Sequence, residues 1–197
     1  MTTTQTTKTD PRPLLWHSFD QAERVARGVS ADQLSRPTPC TEFDVATLMT
    51  HLVGAAARVG SIGRGEPQTN ELPYPEGFGP GESAAALHQV RADAKATWAD
   101  EALLDRKFDM PWATYTGVAV VKLYALELAV HSWDLASATG QLDVLDDALA
   151  EAVLPISHEM VPAEIRGGQM PFAAVIPVAE DAAVYDRLAG FMGRAGA

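Results

Sequence analysis

The chain has 197 residues, 47% of them hydrophobic, with 26 acidic against 15 basic residues and a net charge of −11. That acidity, with no cluster of Lys and Arg, argues against binding to a nucleic-acid backbone. No apolar run approaches the roughly 20 residues of a membrane span without an ionisable group, which argues against insertion in a bilayer, and the single cysteine, Cys40, excludes an internal disulfide or a multi-cysteine metal site and suits a reducing compartment.

Residues 1–12 are polar and lack the apolar core of a signal peptide, so they read as a disordered leader and the protein is expected in the cytoplasm. Residues 13–197 read as a single helical domain. The first helix is predicted from about Pro13 to Val29, because Leu15, Phe19, Ala22, Ala26 and Val29 recur at helical spacing and proline is acceptable in a first turn. "SRPTPC" breaks it. Asp44 is a suitable N-cap for a second helix, whose apolar stripe is Val45, Leu48, Leu52, Ala55, Ala56 and Val59 and which ends near "GSIGRGEP".

Residues 60–81 are crowded with Gly and Pro, carry Tyr74 and Phe78, and read as a long connection of a kind that is often functional. Ser83 is expected to cap a third helix over about 84–104, with Leu87, Val90, Ala94, Trp98 and either Ala102 or Leu103 on its buried side. "DMPWATYTG" punctuates the chain before a fourth helix, about Val118 to Thr139, which stops at Gly140. A fifth helix over about 145–160 is interrupted by Pro155. "RGGQMPFAAVIPV" reads as irregular or a short strand, and "DAAVYDRLAGFMGR" closes the chain as an amphipathic helix through Val184, Leu188 and Phe191. With no repeats and no alternation of strands and helices, the expected fold is all-α, four long helices bundled with a short C-terminal extension packed on them.

The fourth helix poses the chemical question. At 100° per residue, Val120, Leu123, Tyr124, Glu127, Val130, His131, Asp134 and Ala138 lie within about 60° of Glu127, while Lys122, Ala125, Ala129, Ser132 and Ala136 form a small, partly polar face that is turned outward or packed closely. Glu127, His131 and Asp134 therefore share the bulky apolar face, where a charge is expensive unless it is paired. Glu127 and His131, four apart, bring their Cβ atoms to about 5–6 Å and can converge on one ion or simply hydrogen-bond to each other. Two ligands do not hold a metal tightly. His51 in "LMTHLVG", beside the stripe of the second helix, is the candidate third, its alternative being a partly buried histidine with no ligand role. His17, His88 and His158 lack such an arrangement and are assigned surface or core roles.

"PTPCTEFDVATLMTHLVG" at 37–54, "LELAVHSWDLASATG" at 126–140 and the closing "VIPVAEDAAVYDRLAGFMGR" come in the order found in the mycothiol-dependent maleylpyruvate isomerase N-terminal-domain family. The chain resembles that family across about residues 13–195. The family belongs to the DinB-like superfamily of metal-binding four-helix bundles. The resemblance implies a DinB-like bundle and a metal triad of His51, Glu127 and His131, three protein ligands with an open position, as in a catalytic zinc site. Zinc is the expected ion, and nickel, iron or manganese also suit imidazole and carboxylate ligands. In the isomerase the resemblance implies mycothiol as cosubstrate, its sulfur activated at the metal for addition to an electrophilic carbon. About 40 residues follow the fifth helix, fewer than the isomerase's further C-terminal domain requires, which argues against isomerisation of maleylpyruvate itself and leaves thiol transfer by the bundle alone open.

Asp134, one turn beyond His131, is placed to accept a hydrogen bond from a ligand histidine or a water, or to pair with a basic residue or a backbone group. Cys40 is expected well away from the metal, because His51 lies about seven residues, or roughly 10 Å, along the axis from the helix start near Asp44. Tyr74, Phe78, Trp112 and Tyr115 are candidates for a pocket wall at the open end of the bundle. The leading expectation is a metal-dependent thiol transferase or isomerase acting on a small-molecule electrophile with a low-molecular-weight thiol, as a monomer or homodimer. Two alternatives stand beside it: a hydrolase using metal-bound water, and a non-catalytic metal-binding or partner-binding bundle.

Overall fold

A computed structural model of the chain describes residues 10–69, 77–166 and 172–195. Six α-helices dominate: α1 (Arg12–Arg27), α2 (Val45–Gly63), α3 (Glu82–Thr97), α4 (Gly117–Thr139), α5 (Asp147–Met160) and α6 (Val184–Phe191). α1 packs on α3 and α4, and α2 packs on the same two, so the four close a ring in which α1 and α2 scarcely touch. This is the expected all-α bundle. α5 lies on α4, and α6 packs on both. α4 thus serves two cores, one inside the bundle and a smaller one where Leu126, Val130 and Trp133 meet Leu149, Val153, Tyr185 and Leu188.

Local chemistry sets the ends of the helices. The Asp44 carboxylate accepts the Thr47 N–H at 2.8 Å, as its position before an apolar stripe predicts. Asp44→Ala should therefore lower stability by about 1 kcal/mol, seen as a lower urea midpoint at unchanged slope; an unchanged midpoint would show that the cap contributes nothing. Thr116 caps α4, and Gly140, at φ 74°, ends it. α2 is long and apolar enough to cross a membrane by length and composition, but most of it is buried in the protein, Leu48, Met49 and Leu52 completely.

Several boundaries differ from expectation. Residues 1–9 of the expected leader lie outside the described residues, whereas Asp10 already grips the Arg12 guanidinium and Arg12 Nη1 donates to the Trp98 carbonyl at 3.0 Å. α1 ends at Arg27, and Val29 is buried beyond it. Ser83 is not a cap: α3 begins from Gly81, Glu82 reaches back to the Gly79 N–H at 2.7 Å, and Ser83 is buried inside the first turn. That helix stops at Thr97, and Glu101–Leu104 form a separate 3₁₀ turn.

A two-stranded hairpin, β1 (Lys107–Asp109) and β2 (Thr114–Thr116), follows where only punctuation was expected. Phe108, opposite Tyr115, turns inward to within 5.7 Å of the Trp98 ring, and Trp98 donates to the Val59 carbonyl at 2.9 Å. α5 continues through Pro155; the proline and Glu151, whose carbonyl loses its N–H partner there, both lie on the exposed side. Residues 172–180 form no strand, although the Ile176 N–H donates to the Gly190 carbonyl at 2.9 Å. The small-residue face of α4 is packed closely, not turned outward: Ala125, Ala129, Ser132 and Ala136 are fully buried, and the Ser18 hydroxyl reaches the Ala125 carbonyl at 3.0 Å.

Candidate metal centre

Two helices build the centre, α2 presenting His51 and α4 presenting Glu127, His131 and Asp134. His51 Nε2 is 3.0 Å from Glu127 Oε1, and His131 Nε2 is 3.3 Å from the same oxygen. The ligating atoms of the three residues all lie within 4.8 Å of one another, and the two imidazoles meet edge to face at 74°. Ligands at zinc distances stand roughly 3.3–3.6 Å apart along the edges of a tetrahedron. The two short distances fall close to that spacing, so two nitrogens and one carboxylate oxygen fit a single divalent ion with small side-chain adjustments. Glu127 and His51 are partly open to solvent, their side chains 29% and 22% exposed, while His131 is buried.

Asp134 is completely buried one turn beyond His131, and its Oδ2 lies 2.9 Å from His131 Nδ1. A carboxylate there accepts a hydrogen bond from Nδ1–H and leaves Nε2 as the ring nitrogen turned toward Glu127, the orientation a ligand histidine needs once that nitrogen gives up its proton. Arg194 pairs with the same carboxylate, its Nη2 3.0 Å from that Oδ2 and its Nε 3.2 Å from Oδ1. Asp134 therefore has both kinds of partner weighed from the sequence, an imidazole and a basic residue.

The charges reinforce one another. Burial opposes ionisation of Glu127, but His131 and His51 outweigh it and keep its carboxyl well below the usual range. Burial also opposes a charged His131, yet Glu127 and Asp134 raise it to about 9. For Asp134, too, burial works against the charge, and the His131 hydrogen bond and Arg194 hold it below the ordinary carboxylate range.

The position of Cys40 is a correction. Its sulfur lies within 4.8 Å of the ligating atoms of His131 and Asp134, not well away from them. Axial rise applies only within the helix, and the chain before α2 turns back on itself. Pro37 bridges to Asp44, the Phe43 N–H donates to the Cys40 carbonyl at 2.8 Å, and Thr38 Oγ1 stands against the carbonyls of Cys40 and Phe43. This turn also lays the Phe43 ring 4.8 Å from His51 and 6.4 Å from His131. Burial pushes the Cys40 thiol up, with Arg194 opposing. In the group Cys40, His131 and Asp134, the His131 Nδ1 and Asp134 face each other and Arg194 already brings positive charge to the carboxylate.

Of the aromatic candidates for a pocket wall, Tyr74 lies outside the described residues. Phe78 and Tyr115 pack against the main core, and Trp112, at the hairpin turn, is 43% exposed. Phe43 is the aromatic ring found beside the imidazoles, and nothing in residue spacing marks it out, because its place depends on the preceding turn. His17 pairs with Asp146, His88 with Glu23, and His158 stacks on Phe191, consistent with roles outside the centre.

A family model described as the mycothiol maleylpyruvate isomerase N-terminal domain matches residues 15–136, a span that holds His51, Glu127, His131 and Asp134. Two uncharacterized proteins of Mycobacterium tuberculosis, Rv0738 of strain H37Rv and MT0763 of strain CDC 1551, are each 33% identical to the chain over 186 residues, covering 92% of it and 97% of their own length. No solved structure matches the chain significantly. With more than half of its residues inside the family model, the chain belongs to the mycothiol maleylpyruvate isomerase N-terminal domain family.

Proposed function

We propose that the protein is a metal-dependent enzyme that activates a low-molecular-weight thiol, mycothiol by family kinship, for transfer to a small electrophile. The observation that carries this reading is the convergence of ligating atoms of His51, Glu127 and His131 within 4.8 Å of one another on two facing helices, Nε2 of His51 standing 3.0 Å and Nε2 of His131 3.3 Å from Glu127 Oε1. Three protein ligands leave a position for an exchangeable group, the pattern of catalytic rather than structural sites. A divalent metal held there supplies positive charge that lowers the pKa of a coordinated thiol.

The chain's own residues do the rest. His51 and His131 bind through Nε2, Asp134 keeps the second proton of His131 on Nδ1, and Phe43 covers one side of the imidazole pair. The partly exposed Glu127 and His51 mark the side from which the thiol and its electrophile enter. Zinc fits the donor set best, with nickel, iron or manganese as alternatives that loading experiments would rank.

The test is purified protein reconstituted with zinc and assayed for conjugation of mycothiol to a panel of electrophiles. Turnover should require the metal and vanish in Glu127→Gln. Metal-dependent cleavage of esters or amides without any thiol would replace this reading with hydrolysis, and metal binding without turnover would leave a binding bundle. Metal affinity should also depend on pH in a defined direction. A ligand imidazole must give up its Nε2 proton, and His131 is raised to about 9, so uptake at neutral pH releases about one proton. Affinity then rises about tenfold per pH unit and levels off above about pH 9. A flat profile in titration calorimetry between pH 6 and pH 8 would count against His131 as a ligand.

A further inference from the structure

Arg194 has no part in the chemistry described so far. It ends the closing sequence "DRLAGFMGR", outside the span matched by the family model, yet its guanidinium lies against Asp134, sixty residues back in the chain. Nε is 3.2 Å from Asp134 Oδ1 and Nη2 is 3.0 Å from Oδ2, while Nη1 donates to the Met192 carbonyl at 2.9 Å. Little of this is open to water, the Arg194 side chain being 12% exposed and that of Asp134 0%.

A carboxylate fixes an imidazole only if its own rotamer is fixed. Asp134 and His131 stand on one helix, one turn apart, so the pair alone can swing together. Arg194 anchors the carboxylate from a different element, with a planar fork whose donors meet both carboxylate oxygens. The backbone delivering it is itself held. The Arg194 N–H donates to the Ala189 carbonyl at 2.9 Å, and Gly193, at φ 78°, leaves no room for a side chain, since a Cβ would come within 2.8 Å of Ala173 Cβ and 3.0 Å of the Ala174 carbonyl oxygen. The turn after α6 takes this shape because residue 193 is glycine, and the shape brings Arg194 to Asp134.

We propose that Arg194 is a positioning residue of the metal centre: through Asp134 it fixes the ring of His131, so that a segment outside the family's matched span completes the site. This rests on the reading of His51, Glu127 and His131 as ligands. The experiment measures zinc affinity by competition with a chromophoric chelator and ligand geometry by the visible spectrum of the cobalt-loaded protein. Arg194→Ala should weaken zinc binding by about tenfold and alter the cobalt spectrum. Arg194→Lys, a point charge without the fork, should recover only part of the loss. In an Asp134→Asn background Arg194→Ala should change nothing further. Leu87→Ala, which removes a buried side chain of α3, a helix that does not carry Arg194 or Asp134, controls for destabilisation. It should leave affinity and spectrum as in the wild type, and if Arg194→Ala folds poorly, Arg194→Lys set against this control decides the matter. Wild-type affinity and spectrum in the Arg194 variants, or an equal loss in Leu87→Ala, would overturn the proposal. Wild-type affinity in His131→Ala would overturn it together with its premise.

Discussion

His131→Ala should lower affinity for a divalent metal by more than about a hundredfold and leave a cooperatively folding protein. The size follows from what is lost. Groups that merely support a ligand are worth about 10- to 100-fold in affinity, and on the proposed reading this substitution removes a ligand nitrogen together with the imidazole partner of Asp134. The fold tolerates the change because Asp134 keeps Arg194 as a partner and the apolar stripes of α1 to α4 are untouched. Truncating a buried imidazole while removing a cation from beside Glu127 costs about 2 kcal/mol, or roughly 4–8 °C in melting temperature for a chain of this size. Elemental analysis after reconstitution gives the first number and a thermal melt the second. Stoichiometric metal in the variant would place the ion elsewhere, and outright unfolding would make the centre structural.

The second large effect lies far from the chemistry, at the start of α4. Gly117→Ala should lower stability by about 3 kcal/mol or more, roughly 6–12 °C in melting temperature, without changing metal stoichiometry. Gly117 sits where the 3₁₀ turn of Glu101–Leu104 crosses the first residue of α4, and its N–H donates to the Arg106 carbonyl at 2.9 Å. A Cβ there would run into the Leu103 carbonyl oxygen, and would lie 2.8 Å from Leu103 C and 2.9 Å from Leu104 Cα. All three are backbone atoms, so no side chain can swing aside to make room. Either the turn or the helix start must move, and Trp98, Leu103 and Phe108 pack at that junction. A melt within about 2 °C of wild type would mean that the crossing relaxes freely.

What could be read from the sequence was what depends on neighbours along the chain. Asp44 and Gly140 were legible because capping is decided within a turn, and Glu127, His131 and Asp134 because helical spacing alone puts them on one face. The hairpin escaped because three residues per strand, Lys107–Asp109 and Thr114–Thr116, are too few for an alternation to register. Cys40 was misplaced because a helical rise was extended across a turn that doubles back. Arg194 stood in plain view after Gly193, but its partner lies sixty residues away and only folding shows it. Likewise, the small-residue face of α4 had two readings until the packing of α1 and α5 against it decided between them.

From Tyr124 to Ala136, α4 is buried on every side except at Glu127, which is partly exposed. An interior packed at that density does not yield piecemeal, so the backbone that carries Glu127 and His131 keeps its shape unless the packing around α4 opens. His51 arrives from a separate helix on its own rotatable side chain. The centre thus has one jaw whose backbone is locked in the core and a second that comes from a separate helix. On the proposed reading, ions of different radius would be accommodated by turning the partly exposed side chains of His51 and Glu127 rather than by reshaping α4.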